Sequence, residues 1–238
     1  MARTLGAGEA HVYYRLTEAL DEIAIADAVA LLSPDEHARY TRFVFARDRC
    51  EYAAAHALVR TSLSRYAEVA PRAWSFHEAP GGKPSLVPDP CVPPLSFSLS
   101  HTHGLVACAI AAGADVGIDV EGVDRDVDDG VPQRFFSARE RADLRGCASD
   151  ALRAKRFFDL WTLKEAYIKA IGKGLSHPLD TIIFTVDDDQ RITFTPPSEV
   201  DAAAWSFRLF SPTERHRLAV AVGTTPGAPR SISLLEAE

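Results

Sequence analysis

Leu95-Ser-Phe-Ser-Leu99, followed after a short turn by Leu105-Val-Ala-Cys-Ala-Ile-Ala-Ala112, decides how the chain folds. The first segment alternates apolar and hydroxyl side chains, the signature of a half-buried strand; the second is continuously apolar, as a strand covered on both faces must be. The pair recurs. Phe97-Ser-Leu99 and Val106-Ala-Cys-Ala109 match Phe207-Arg-Leu209 and Leu218-Ala-Val-Ala221 at offsets of 110 to 112. Outward from the strands, Ser33-Pro34-Asp35-Glu36 carries an N-cap serine, a proline at the first helical position and a glutamate at the third, and Ser137-Ala138-Arg139-Glu140 opens a capped helix in the second half. A longer helix follows each: Asp48 to Tyr66, with Tyr52, Ala55, His56, Val59 and Leu63 on one face, and Ala151 to Ile171, stopped by Gly172 and Gly174. Thr181 to Val186 and Arg191 to Thr195 read as a hairpin, and Trp74-Ser-Phe76 as a further strand. This order predicts an α+β fold of two similar lobes related by a pseudo-two-fold duplication, each a small antiparallel sheet against a long helix. The lobes would be residues 1–112 and 113–238, joined near Ala112 to Asp115. Two unrelated segments of ordinary α/β order also produce such a weak repeat. If the duplication holds, a ligand belongs in the crevice between the lobes.

At 238 residues the chain is long enough for one large domain or two small lobes, and 47% hydrophobic with 25% charged residues is the composition of a globular protein. A net charge of −7 argues against an electrostatic grip on nucleic acid or an anionic membrane, so any phosphate must be met by a local basic pocket. Cys50, Cys91, Cys108 and Cys147 include no CxxC pair and read as buried thiols in a reducing compartment. The most apolar run, Leu105 to Ala114, is too short to cross a bilayer, and the first residues lack the apolar core of a signal peptide, so a cytoplasmic protein is expected.

Four short segments carry chemistry. In Val116-Gly-Ile-Asp-Val-Glu121 the carboxylates of Asp119 and Glu121 leave one face of a strand about 7 Å apart at their roots, close enough to share a cation, and oxygen donors select magnesium or manganese over zinc. A simply solvated acidic face has the same pattern. In Phe157-Phe-Asp-Leu-Trp161-Thr-Leu-Lys-Glu165-Ala-Tyr-Ile-Lys169, helical spacing sets Trp161, Glu165 and Lys169 along one ridge. An exposed Glu165 to Lys169 ion pair is the plainer reading, but the neighbouring indole calls for cover and therefore for a crevice. Ser100-His-Thr-His103 suits phosphate oxygens or a polar turn, and Gly81-Gly-Lys83-Pro84 is a stiffened basic loop or an ordinary turn.

Taken together and in order, Gly82-Lys-Pro84, Phe97-Ser-Leu-Ser-His101, Gly117-Ile-Asp-Val-Glu121 and Trp161-Thr-Leu-Lys-Glu-Ala-Tyr-Ile-Lys169 with Gly172-Lys-Gly-Leu175 resemble the 4′-phosphopantetheinyl transferases, specifically the monomeric two-lobed type that activates surfactin synthetase. The resemblance implies transfer of the phosphopantetheine arm of coenzyme A to a serine of an apo acyl or peptidyl carrier protein. It implies a magnesium ion held by Asp119, Glu121 and Glu165, with Glu165 also the candidate base and its ligand role ranked first. Lys169, Ser100 and His101 would hold phosphates, and Lys83 and Arg39 would face the 3′-phosphate and adenine end. Glu36 stands at the first of two positions that are often basic in the family, with Arg39 at the second, so Arg42 or Arg47 would share the grip. Carrier docking would use a local patch around Phe135, Phe136 and Leu144. A non-catalytic module that binds coenzyme A or a carrier, and a metal-dependent pyrophosphate hydrolase, are the competing readings.

Overall fold

The computed structural model describes residues 3–6, 8–78, 82–125, 127, 130–174, 177–223 and 231–237. Gly81 and Leu175 of the segments quoted above lie outside the described residues. The first half runs β1 (Glu9–Leu16), α1 (Glu22–Ala30), α2 (Pro34–Tyr40), α3 (Ala46–Leu63), a two-stranded ribbon β2 (Phe76–Glu78) and β3 (Pro84–Leu86), then β4 (Leu95–Thr102) and β5 (Leu105–Ala112). The second runs β6 (Asp115–Gly122), α4 (Gly130–Phe135), α5 (Ala138–Gly146), α6 (Asp150–Ile171), the hairpin β7 (Ile183–Val186) and β8 (Ile192–Thr195), β9 (Trp205–Phe210) and β10 (His216–Gly223). A last strand, β11 (Ser231–Glu236), completes the chain's order.

One sheet has the order β11-β1-β5-β4 and another β6-β10-β9. Their facing sides share one core, in which Val12, Leu105, Ala107 and Ala109 meet Ile118, Val120, Leu218 and Val220. The outer side of the first sheet packs on α3 through Phe97, Cys108 and Ile110 against Ala55, Leu58 and Val59. The outer side of the second packs on α6, where Ala219 and Ala221 meet Leu163 and Ala166. The result is the expected α+β architecture, a small sheet and a long helix in each lobe.

The duplication extends to polar detail. Ser33 and Ser137 each close a capping box with the glutamate three residues on, Glu36 and Glu140. Glu36 also accepts from Arg60 of α3 at 2.7 Å, and Glu140, at the same spacing, pairs with Lys164 of α6 at 2.9 Å. In both halves a helix-capping carboxylate thus pins the short helix to the long one. This accounts for Glu36 at a position the resemblance makes basic: it also holds His56 at 2.9 Å, and its function is internal.

Several expectations are corrected. The chain's final strand joins the first sheet, parallel to β1, although sequence division placed Ser231–Glu236 in the second lobe. The early strand begins at Phe76, while Trp74 turns into the core and its indole N–H donates to Ser64 at 2.9 Å. Of the cysteines only Cys108 is buried, and Cys91 is exposed. Phe136 and Leu144, expected as part of a docking patch, are 0% and 6% exposed and belong to the second-lobe core, where they pack with Phe157, Leu160 and Leu163 of α6.

Candidate active site

Gly117 is why a site exists here. A Cβ at this position would lie 1.9 Å from the Ala166 carbonyl oxygen and 2.4 Å from the Ala170 nitrogen, so only glycine lets α6 lie directly on β6. That contact brings the ridge of α6 over the carboxylates of β6. Lys169 Nζ donates to Asp119 Oδ1 at 2.7 Å and to Ser100 Oγ at 3.0 Å, and Ser100 Oγ–H donates to the same Asp119 oxygen at 3.0 Å. Glu121 accepts from the Trp161 indole N–H at 3.0 Å and from Arg125 at 2.9 Å. The indole therefore orients one of the acids, in addition to covering the ridge.

Two oxygens in this group are buried with no hydrogen-bond partner among the described residues, Asp119 Oδ2 and Glu165 Oε1. Burial, with the negative charge of Asp119 next and Glu121 behind it, holds the Glu165 carboxyl up at about 7, against the opposing pull of Lys169. Glu121 is raised as well, first by burial and then by Asp119. Three acids meet two cations, Lys169 on Asp119 and Arg125 on Glu121, which leaves the group one positive charge short, and orphaned hard oxygens are what a divalent cation would satisfy. The donor chemistry fits such an ion. Among the described residues, however, no three acid, imidazole or thiol groups already stand close enough to form a finished cage, and Lys169 occupies one oxygen of Asp119.

The group opens into a cleft of about 380 Å³ between the lobes, lined by Lys83, Phe97, Leu99, Glu165, Ile168 and Lys169 among others. Lys83 is on its wall, but its ammonium donates to the Val116 and Ala170 carbonyls at 2.9 and 3.1 Å, and desolvation lowers its pKa. It ties the β2–β3 ribbon to the C-terminal end of α6. His101 is exposed at the end of β4, one position past Ser100; desolvation first, and Lys169 as well, keep its imidazole below the ordinary value. Arg39 lies apart, in a hollow it shares with Asp35, Arg42 and Phe43, its guanidinium 5.7 Å from the Tyr52 ring centre. The fold therefore sets Glu165, Lys169 and Lys83 on the cleft, joins Asp119 and Ser100 to it through Lys169, holds Glu121 on the same strand as Asp119, and leaves Arg39 in a separate hollow. Lys164, in the middle of the helix motif, belongs to neither: it is 0% exposed and bound to Glu140 and the Leu179 carbonyl. The roles of Gly117 and Arg125 were not read from sequence, and Trp161 was read as cover for the ridge but not as the donor that orients Glu121.

An acidic cluster with a lysine beside an interlobe cleft is a donor set suited to a broad class of proteins, those that bind phosphate-bearing ligands with the help of a divalent ion. The comparisons narrow the class. Residues 115–221 match the 4′-phosphopantetheinyl transferase superfamily, and residues 21–113 match the 4′-phosphopantetheinyl transferase N-terminal family. The chain is 35% identical to the 4′-phosphopantetheinyl transferase HetI of Nostoc sp., over 92% of this chain and 90% of that protein. It is 30% identical to the 4′-phosphopantetheinyl transferase Sfp of Bacillus subtilis, over 71% of this chain and 73% of that one. A solved holo-(acyl-carrier-protein) synthase from Bacillus anthracis, in complex with CoA (3′,5′-ADP), is 22% identical with a TM-score of 0.39, covering 47% of this chain and 96% of that chain. The chain belongs to the 4′-phosphopantetheinyl transferase family.

Proposed function

We propose that the protein transfers the 4′-phosphopantetheine arm of coenzyme A to a serine hydroxyl of an apo acyl or peptidyl carrier protein. The serine oxygen forms a bond to the phosphorus of the arm, the pyrophosphate P–O bond breaks, and adenosine 3′,5′-bisphosphate leaves. The observation that carries this reading is the pair of unpartnered, buried carboxylate oxygens on Asp119 and Glu165, beside Lys169 in the interlobe cleft. Asp119, Glu121 and Glu165 would hold a magnesium ion, or manganese in its place. When bound, it supplies charge neutralisation of the pyrophosphate.

The chain's own groups do the rest. Lys169, 32% exposed and anchored on Asp119 and Ser100, presents its remaining donor capacity to a phosphate oxygen. Glu165, on the cleft and one helical turn from Lys169, is the candidate group to take the proton of the incoming serine. A carboxylate committed to a cation is a weaker base, so its ligand role ranks first. Ser100 stands beside Lys169, His101 leaves the other face of β4 toward α3, and Lys83, Arg39 and Arg42 are the cationic groups assigned to the 3′-phosphate and adenine end.

The working unit in this reading is a monomer of two lobes that meet near residue 112, with β11 returning to pair with β1 of the first sheet. Four free cysteines support a reducing, cytoplasmic setting, and among the described residues no helix is long and apolar enough to cross a membrane. The test is mass spectrometry of an apo carrier domain incubated with the protein, coenzyme A and magnesium. The expected result is a gain of about 340 Da on the carrier serine, abolished by a chelator and restored by magnesium. Coenzyme A breakdown without modification of any carrier overturns the reading in favour of a hydrolase, and binding with no mass change overturns it in favour of a sensor.

A further inference from the structure

β6 is an edge strand, paired with β10 only, so the N–H groups of its other edge need partners elsewhere. They find them in side chains. The Ile118 N–H donates to Ser98 Oγ at 3.2 Å, the Val120 N–H to Ser100 Oγ at 3.3 Å and the Gly122 N–H to Thr102 Oγ1 at 3.2 Å, each bridging the same 20-residue separation. At the start of the run Ser96 Oγ–H donates to the Ala114 carbonyl. The hydroxyl face of β4 is therefore a ladder with a rung at every second residue, while the alternate residue Phe97 packs inward toward α3.

The middle rung belongs to the site: Ser100 accepts from Val120 N–H and Lys169 and donates to Asp119, which fills its capacity. The outer rungs, Ser98 and Thr102, make no hydrogen bond to Asp119 or Lys169 among the described residues, although Ser98 also lines the cleft, and their bonds to Ile118 and Gly122 tie β6 to β4 on both sides of Asp119. A slip by one rung would carry Asp119 about 6.6 Å along the strand, out of reach of Ser100 and Lys169.

We propose that Ser98 and Thr102 are positioning residues of the transferase: their hydroxyls hold the carboxylate strand in one register against the opposite lobe, and so fix the placement of Asp119 for cation binding and phosphate transfer. The inference rests on the transferase reading for its kinetic consequence and on geometry alone for its effect on cation binding. Thr102→Val keeps the shape and removes the hydroxyl; Thr102→Ser keeps the hydroxyl. Manganese(II) binding to the full chain, without substrate, is followed by the loss of the free-ion electron paramagnetic resonance signal, and kcat and KM for coenzyme A are measured by the carrier mass assay.

Thr102→Val and Ser98→Ala are each expected to weaken manganese binding about 10-fold and to lower kcat about 10-fold, with KM for coenzyme A changed less than about twofold, while Thr102→Ser stays near wild type. Wild-type manganese affinity and kcat in both hydroxyl-deleted variants, whatever their melting temperatures, overturn the proposal. If one variant does not fold, the other decides. If wild-type protein binds manganese but modifies no carrier, the transferase reading falls, and the ladder is judged on the manganese affinities alone.

Discussion

Gly117→Ala tests most directly how the site is assembled. The added methyl would sit 1.9 Å from the Ala166 carbonyl oxygen and 3.0 Å from Ala170 Cα, all helix backbone that cannot rotate away as a side chain would. Restoring an ordinary carbon–oxygen contact of about 3.3 Å requires α6 to retreat from β6 by about 1.4 Å. Overpacking of this kind costs about 1–3 kcal/mol, or roughly 2–12 °C in melting temperature for a chain of this size. The catalytic cost is of similar size to the stability cost but falls on the site itself, because Glu165 and Lys169 ride on α6 while Asp119 and Glu121 stay on β6. A displacement of about 1 Å between reacting groups is enough for a loss of about 100-fold. The assay is carrier modification by mass spectrometry at a temperature where circular dichroism shows the variant folded. Gly146→Ala is the control, since its Cβ meets nothing within 4 Å, and it should keep wild-type turnover. Gly117→Ala turnover within threefold of wild type would refute the claim that this close approach builds the site.

Glu165→Gln should lower kcat at least about 100-fold yet raise the metal-free melting temperature by several degrees at pH 8, since it removes a carboxylate whose ionisation burial and Asp119 oppose; unchanged stability and activity would contradict the charge deficit described here. Asp119→Ala should lose activity to a similar degree without the gain in stability, because it strands Lys169, as thermal scans with and without magnesium will show. Lys164→Met leaves Glu140 charged and buried, and should destabilise by about 3–5 kcal/mol in urea titration, with Glu140→Gln in the same chain recovering much of the loss. At Glu36 burial opposes ionisation, but hydrogen bonds from His56, Ser33 and Arg60 outweigh it and bring the carboxyl down to about 2. Its contribution is therefore complete above the unfolded value near 4.5 and is lost as pH falls toward 2, so Glu36→Gln should flatten the fall in melting temperature across that window.

The strand and helix order of most of the chain was legible because β4, β5, α3 and α6 each bury one face or both, and burial imposes a period on the sequence. The first strand, the first helix and β11 were not, since β1 mixes His11, Tyr13, Tyr14 and Arg15 with its apolar residues and β11 finds its partner only at the far end of the chain. The acids, Glu165, Lys169 and Ser100 were legible as types at workable spacings. Their neighbours were not: Lys164 and Lys169 differ little in sequence, yet one is sealed against Glu140 and the other reaches the cleft, because five residues of helix turn them to different sides.

By itself the sequence determined which segments would be strands and helices and which residues could carry charge to one place, because periodicity and residue chemistry are local properties. Only the tertiary structure decided which of those charges meet: the approach of α6 to Gly117, the hydroxyl ladder from β4 to β6 and the withdrawal of Glu36 into a helix-pinning role are contacts between segments distant along the chain. Their free energies come from packing and desolvation, which no local pattern records.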